Sequence, residues 1–398
     1  MKGLGRYGVR QFGSNPTASS YYAINIIMLK NIKLLEKIKP LSYLHDNADF
    51  PEYLKVLAPF FQHNFVTATQ EERETFFYNL LYLAQRDLSL AHCVQHNHKG
   101  RLAIELGPDS AAKEYLNSKP YNEVVCCYSS HRAIDTMRYN PNTNTVSPGV
   151  KGWLSNLETA DFIAIEVPDW TVPSGFSSAH KNHKPTDVGE DIYTMFFDLR
   201  KINCSRTTVG ATTSIGMKGA APGIVTIHEE LEVGTDRCYI LNKNPRRNAT
   251  NNPWMDYVRQ CWVTVHLGVI MGLFNELKTY PELKDPELRY QVQSIELEIS
   301  TLKLMWEHGL DSWGGKNNRL HKNEILPVTQ HFNAHSTQYA KSKEVLLQVI
   351  NFVLALGLHE FLNENLPQCT RFRDAITYVT HMASLYRCNK KFPQYNNF

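Results

Sequence analysis

Apolar side chains along this chain keep two rhythms, and the rhythm changes twice. Between residues 67 and 120 they return every third or fourth position, the spacing of one helical face. Phe76, Phe77, Leu80, Leu81, Leu83 and Ala84 make one such face. Thr69, with Glu72 three residues on, has the pattern of a capping box at its start. Asp87-Leu88-Ser89 opens a second helix with Leu90, Ala91, Val94, His98 and Leu102 on one side. Ahead of these, Ile32, Leu34, Leu35, Ile38 and Leu41 among lysines predict a short amphipathic helix within residues 28–50. Pro51 suits a helix start for residues 51–64, and residues 108–117 predict a further short helix before Pro120.

From Glu123 the period shortens. Val124-Val125-Cys126-Cys127-Tyr128 is β-branched and aromatic, hence strand-like. Thr136-Met137-Arg138-Tyr139 and residues 146–150 flank an Asn/Pro/Thr turn at 140–145, which predicts a hairpin. Further strands are expected at 160–168, 192–199, 205–210 and 223–229. Short strands at that spacing predict a small antiparallel barrel or sandwich. Residues 237–250 read as a polar connector.

From Pro253 the helical rhythm returns. Met255, Val258, Trp262, Val265, Leu267, Val269, Ile270 and Leu273 mark a helix in which the small Gly268 and Gly272 permit close helix contacts. Residues 287–313, 321–356 and 370–388 predict the others. The expected organisation is an α+β multi-domain chain. A tail covers 1–27, an N-terminal helical domain 28–121, a central antiparallel β-barrel or sandwich domain 122–236, and a C-terminal four-helix bundle 237–398. Such a bundle is expected to bury spare surface in a homodimer or homotetramer.

Composition narrows the partners. With 398 residues, 42% of them hydrophobic and 20% charged, the chain can bury a sizeable core. A net charge of +3 is too small to argue for nucleic acid. No apolar run reaches the length of a membrane span. The 16 His show no metal-ligand spacing. The 8 Cys include adjacent Cys126 and Cys127 and no CxxC, which reads as reduced thiols in a cytoplasmic protein. Small molecules remain as the expected partners.

One stretch offers a site for such a molecule. Lys151-Gly152-Trp153-Leu154-Ser155-Asn156 stands just ahead of the apolar run 162–167. A Trp beside Ser and Asn presents a flat apolar face and two small hydrogen-bonding side chains. That trio suits a planar heteroaromatic ligand with a polar edge. The same residues also read as a packed sheet corner in which Ser and Asn serve a turn.

The order of parts over residues 50–388 resembles the acyl-CoA dehydrogenase superfamily of flavoproteins, and five local patterns carry the resemblance. Asp87-Leu88-Ser89-Leu90-Ala91-His92 with Gln95-His96 looks like the family's Asp-x-Ser-x-Ala helix start. Lys113-Glu114-Tyr115-Leu116 looks like its Lys-x-Tyr-Leu. Thr136, Gly149, Lys151 and Trp153-Leu154-Ser155-Asn156 look like the segment ending in its Lys-x-Trp-Ile-Thr/Ser-Asn flavin motif. Gly216-Met217-Lys218-Gly219 before Gly223 resembles its Gly-Met-Arg turn, and Arg371-Phe372-Arg373-Asp374-Ala375 its Arg-x-x-Arg-Asp-Ala. The resemblance implies a flavin cofactor, FAD or FMN, with Trp153 packed on the ring, Ser155 at its N5 edge and Asn156 beside them.

Departures from the family pattern shape the expected chemistry. Tyr128, Ser129 and Ser130 stand where a longer Thr-Glu-Pro-Gly-rich loop covers flavin and CoA in the family. They could still bind a ring edge. Met382 falls where the family carries its carboxylate base. Asp256 and Glu276 sit too near the ends of the 254–279 helix to replace it. The segments that grip the FAD pyrophosphate have no clear counterpart, so FMN or reduced flavin fits better. His381 matches a His in the oxygen-using branch that serves proton transfer during the oxygen reaction. His96 and His92 are candidates to face the same cavity, and His96 and Met382 are the expected substrate-pocket residues. The expectation is a flavin-dependent oxidoreductase, monooxygenase-like and fed by a partner reductase. The alternatives are an acyl-CoA dehydrogenase with a relocated base and a degenerate homologue acting as a structural subunit.

Overall fold

The structure, a computed structural model, describes residues 50–61, 67–130, 135–172, 192–208, 220, 223–243, 253–314, 328–361, 363 and 367–381. The helix expected within 28–50, the 211–219 turn and Met382 lie outside those residues.

Four helices come first: α1 (Phe50–Phe61), α2 (Gln70–Arg86), α3 (Leu88–Glu105) and α4 (Ala111–Ser118). The capping box forms. Thr69 Oγ1 accepts from the Glu72 backbone at 3.3 Å, and the Glu72 carboxylate accepts from the Thr69 backbone at 2.7 Å. Asp87 ends α2 and caps α3, its Oδ1 accepting from Leu90 N at 2.9 Å. Sequence spacing gives α3 one apolar side, yet it is buried almost all round. Its polar residues are satisfied by neighbours: Asn97 Oδ1 takes the Cys126 N–H at 2.7 Å, and Arg101 donates to the Val124 carbonyl at 3.2 Å.

Ten strands follow among the described residues: β1 (Cys126–Ser129), β2 (Tyr139–Asn140), β3 (Thr145–Val146), β4 (Gly149–Leu154), β5 (Phe162–Pro168), β6 (Ile192–Asp198), β7 (Cys204–Thr208), β8 (Gly223–Ile227), β9 (Leu231–Glu232) and β10 (Cys238–Lys243). The 140–145 hairpin is present, with Tyr139 opposite Val146 and Asn140 opposite Thr145. The strands make three open sheets, ordered β1-β5-β6-β10, β2-β3-β9 and β4-β8-β7. This corrects the antiparallel barrel: among the described residues no sheet closes, and β1 pairs with β5 in parallel. A parallel neighbour needs a crossover, which β2 to β4 supply, so the up-and-down order of a simple barrel is broken. The polar connector at 237–250 is corrected too, because residues 238–243 form β10 on the edge of β6.

β5 and β6 are buried along their whole length because both faces of their sheet are covered. Phe162 and Phe196 on one face meet Ala112 and Leu116 of α4, and the other face joins the main core. Cys126 and Cys127 lie in β1 as buried free thiols, and burial pushes Cys126 up to about 12.

The last four helices are α5 (Pro253–Leu277), α6 (Arg289–Gly314), α7 (Val328–Leu356) and α8 (Pro367–His381). Gly268 and Gly272 bring α5 onto α2. A β-carbon at Gly268 would sit 2.6 Å from Ala84 Cβ, and one at Gly272 would sit 2.5 Å from the Gln85 carbonyl oxygen. None of the described helices is long and apolar enough to cross a membrane.

Candidate functional site

The site is built where β4 leaves its ladder. β4 pairs regularly with β8 from Gly149 to Lys151, then shifts register before Leu154 meets Gly223. Such an irregularity re-aims side chains. Trp153 takes φ 62°, a left-handed conformation that bulky residues rarely adopt, and Asn156 takes φ 66°, which Asn tolerates. The outcome is that Trp153 is 42% exposed while Lys151, Leu154, Ser155 and Asn156 around it are buried.

Side chains replace the missing ladder bonds. The Lys151 ammonium donates to Asp135 Oδ2 at 2.7 Å, to the Ser130 carbonyl at 2.8 Å and to the Glu166 carbonyl at 3.2 Å. The other Asp135 oxygen accepts from Gly152 N at 3.0 Å. Ser129 Oγ donates to the Gly152 carbonyl at 3.2 Å. Both backbone polar groups of Gly152 are therefore satisfied by side chains, and the bulge is fixed from behind.

Against the turn at Ser155 and Asn156 lies one face of α3. His92, Gln95 and His96 fall at i, i+3 and i+4, so they share that face. His92 Nε2 meets Ser155 Oγ at 3.0 Å, and Gln95 Nε2 meets His92 Nδ1 at 3.1 Å. The His96 ring lies 4.2 Å from the His92 ring, tilted by 37°, and its Nδ1 donates to the Tyr128 carbonyl at 3.2 Å. The Tyr378 ring of α8 stands edge-to-face with two histidines, its centroid 5.9 Å from that of His92 and 5.0 Å from that of His266. Burial raises the Tyr378 phenol well above its ordinary range and pushes His266 down to about 3, so both are neutral at pH 7.

The residues expected at the site fall into distinct roles. Trp153 presents its indole outward. Ser155 is buried against His92. Asn156 is fully buried and donates to the Cys93 carbonyl at 2.8 Å, tying the turn to α3, while its Oδ1 has no partner among the described residues. Tyr128 sends its hydroxyl to Glu166 at 3.1 Å. Ser129 braces Gly152, and the half-buried Ser130 takes the Lys151 ammonium on its carbonyl. His96 sits half-buried beside His92. His381 is the last residue of α8, and its side chain, like Met382, falls outside the described residues.

Two of the sequence patterns meet in space. Ser89 Oγ, at the start of α3, donates to Asp374 Oδ2 of α8 at 3.3 Å. Arg371, one turn earlier, pairs with Glu276 at the end of α5 at 2.9 Å. Sequence reading did not single out Gln95, Tyr378 or Asp135 as parts of the site. The i, i+3, i+4 spacing with His92 and His96 was the available signal for Gln95. Asp135 has none, since its partner stands sixteen positions away on another element.

No protein-family model matches the chain, and no curated protein matches it by sequence. Solved structures do match. Glutaryl-coenzyme A dehydrogenase in complex with glutaryl-CoA superposes with a TM-score of 0.71 at 12% identity, covering 97% of each chain. Butyryl-CoA dehydrogenase from Megasphaera elsdenii gives 0.68 at 11% identity over 94% of this chain and 97% of that one. The Paenibacillus dibenzothiophene monooxygenase TdsC, in its complex with FMN and indole, gives 0.66 at 13% identity over 93% and 98%. At such identities the likeness is one of fold, and it runs through almost the whole chain.

Proposed function

We propose that this chain, which has the acyl-CoA dehydrogenase-like fold, is a flavin-dependent oxidoreductase and a monooxygenase rather than a dehydrogenase. The observation that carries the reading is the Trp153–Ser155 corner. A large aromatic face is held half-exposed by a strained, fully braced bulge, with a hydroxyl backed by His92 two residues on. Strain of about 1–3 kcal/mol at a bulky left-handed residue persists where a structure over-determines it, and that happens at ligand sites. A flat tricyclic ring with an acceptor nitrogen at its edge fits those two groups. FMN and FAD share that ring.

The bound flavin supplies the electron chemistry. The protein's part is orientation. Trp153 packs against the ring, Ser155 offers its hydroxyl to the edge, and the β1 end at Tyr128, Ser129 and Ser130 stands beside them. His381, closing α8, is the proposed proton carrier. Two helix carboxylates among the described residues are already engaged, which supports monooxygenation over α-proton abstraction. Glu276 is paired with Arg371 and Asp374 accepts from Ser89, so neither is poised to take a substrate proton. Reduced flavin would then come from a partner reductase. Tyr290, Leu297 and Leu304 on α6 are 81%, 68% and 66% exposed at seven-residue spacing, and one apolar stripe of that kind supports assembly as a homodimer or homotetramer.

The test is titration of the purified chain with FMN and FAD, oxidised and reduced. Binding with quenched flavin fluorescence, weakened about tenfold or more in Trp153→Ala, is expected. If neither flavin binds in either state, the reading is overturned. Anaerobic bleaching of the bound flavin by an acyl-CoA alone would instead establish a dehydrogenase.

A further inference from the structure

The buried polar face of α3 has a direction. Gln95 Nε2 can only donate, so His92 Nδ1 must accept from it, and the ring proton of His92 resides on Nε2. His92 Nε2–H therefore donates to Ser155 Oγ. Ser155 makes no second hydrogen bond among the described residues, so its own O–H is left to donate. The Tyr378 ring of α8 stands edge-on to His92, its centroid 5.9 Å from that of the imidazole. Donors thus point one way, from Gln95 through His92 on α3 to Ser155 in the β4 turn. All three side chains are buried, where aligned hydrogen bonds polarise one another and a reversed member is costly.

We infer that His92 is a positioning residue: with Gln95 fixing its tautomer, it holds the Ser155 hydroxyl as a donor toward an acceptor nitrogen at the edge of a bound flavin ring. The inference rests on the flavin reading above for its ligand, but the tautomer and the serine's direction belong to the protein alone. His92 acts through Ser155 and does not itself touch the ring. The chemistry recognised is a planar heteroaromatic edge that accepts a hydrogen bond. The oxidised flavin ring is the form that offers a bare nitrogen.

The experiment has two arms on the full chain. In the first, the chain is labelled with 15N-histidine and studied without flavin. The His92 resonances are assigned by comparison with His92→Gln. The Nε2–H tautomer is expected, and Gln95→Leu is expected to mix the two tautomers. An Nδ1–H tautomer in the unsubstituted chain overturns the proposal whatever the flavin result. In the second arm, visible spectra and affinities of oxidised FMN are compared among four chains. His92→Phe is expected to reproduce the band shift of Ser155→Ala and to weaken binding about tenfold, which is about 1.4 kcal/mol. His92→Gln, whose Nε2 can reach the same oxygen, is expected to restore both. A merely structural histidine would not give matched spectra or rescue by Gln. If the unsubstituted chain binds FMN and His92→Phe keeps its spectrum, the positioning role fails while the flavin reading stands. If the unsubstituted chain binds neither FMN nor FAD, the flavin reading fails and the proposed ligand with it.

Discussion

The Lys151 ammonium and the Asp135 carboxylate meet at 2.7 Å with each side chain 1% exposed, directly behind the bulge that presents Trp153. A buried pair of this kind is weak evidence for net stability, but breaking it leaves one charge uncompensated. Asp135→Asn or Lys151→Met should each destabilise the fold by about 3 kcal/mol in urea unfolding, and the double variant Asp135→Asn/Lys151→Met by less than either. Equal or additive losses would show that the two groups are not coupled.

Trp153 occupies backbone space that suits glycine. Trp153→Gly should raise the unfolding free energy by about 1 kcal/mol while abolishing most flavin affinity. Opposite signs in the two measurements are the signature of strain kept for a ligand. A loss in both would assign Trp153 to packing.

At Gly268 and Gly272 there is no room for a methyl group between α5 and α2. Alanine at either position should cost about 1–3 kcal/mol through forced separation of the helices, despite alanine's better helix propensity. Thermal unfolding decides the sign.

His266 is buried with its Nδ1 2.9 Å from Ser342 Oγ, and burial, helped by Lys343, lowers it from 6.5 to about 3. Between those values the unfolded chain binds the extra proton, so stability rises with pH across the window and is lost as pH falls from about 6.5 toward 3. The slope from this group is at most about 1.4 kcal/mol per pH unit. His266→Asn, which keeps a polar partner for Ser342, should flatten the difference curve between pH 4 and 6 by about that slope. An unchanged curve would mean that another group titrates there.

The α6 stripe gives a test of assembly. Leu297→Glu with Leu304→Glu should lower the mass measured by light scattering to that of one chain of 45.7 kDa, with helicity unchanged. A mass that does not change would place any interface elsewhere.

Much of the fold was legible because local rules decide it. Thr69 and Glu72 announce α2, Asp87 announces α3, and the Asn-rich turn announces the β2–β3 hairpin. What escaped is non-local. β10 is only half-buried over much of its length, so the residues 238–243 look like a connector until β6 is there to pair with them. The parallel β1–β5 pairing has no sequence signature, because each strand alone fits an antiparallel ladder equally well. At the site, Trp153 and Ser155 stood out by residue type. The left-handed backbone that aims them did not, since nothing in Gly152-Trp153-Leu154 asks for it.

The pairing of β1 with β5 also sets an order of events. As the chain leaves a ribosome, β1 waits until residues 162–165 arrive before it gains its neighbour, and β4 waits longer, for residues 223–227. Contacts so distant along the chain form slowly. The corner that carries Trp153 is therefore among the last parts of the β region to be set, and a nascent chain halted before residue 223 would hold every residue of that wall without having built it.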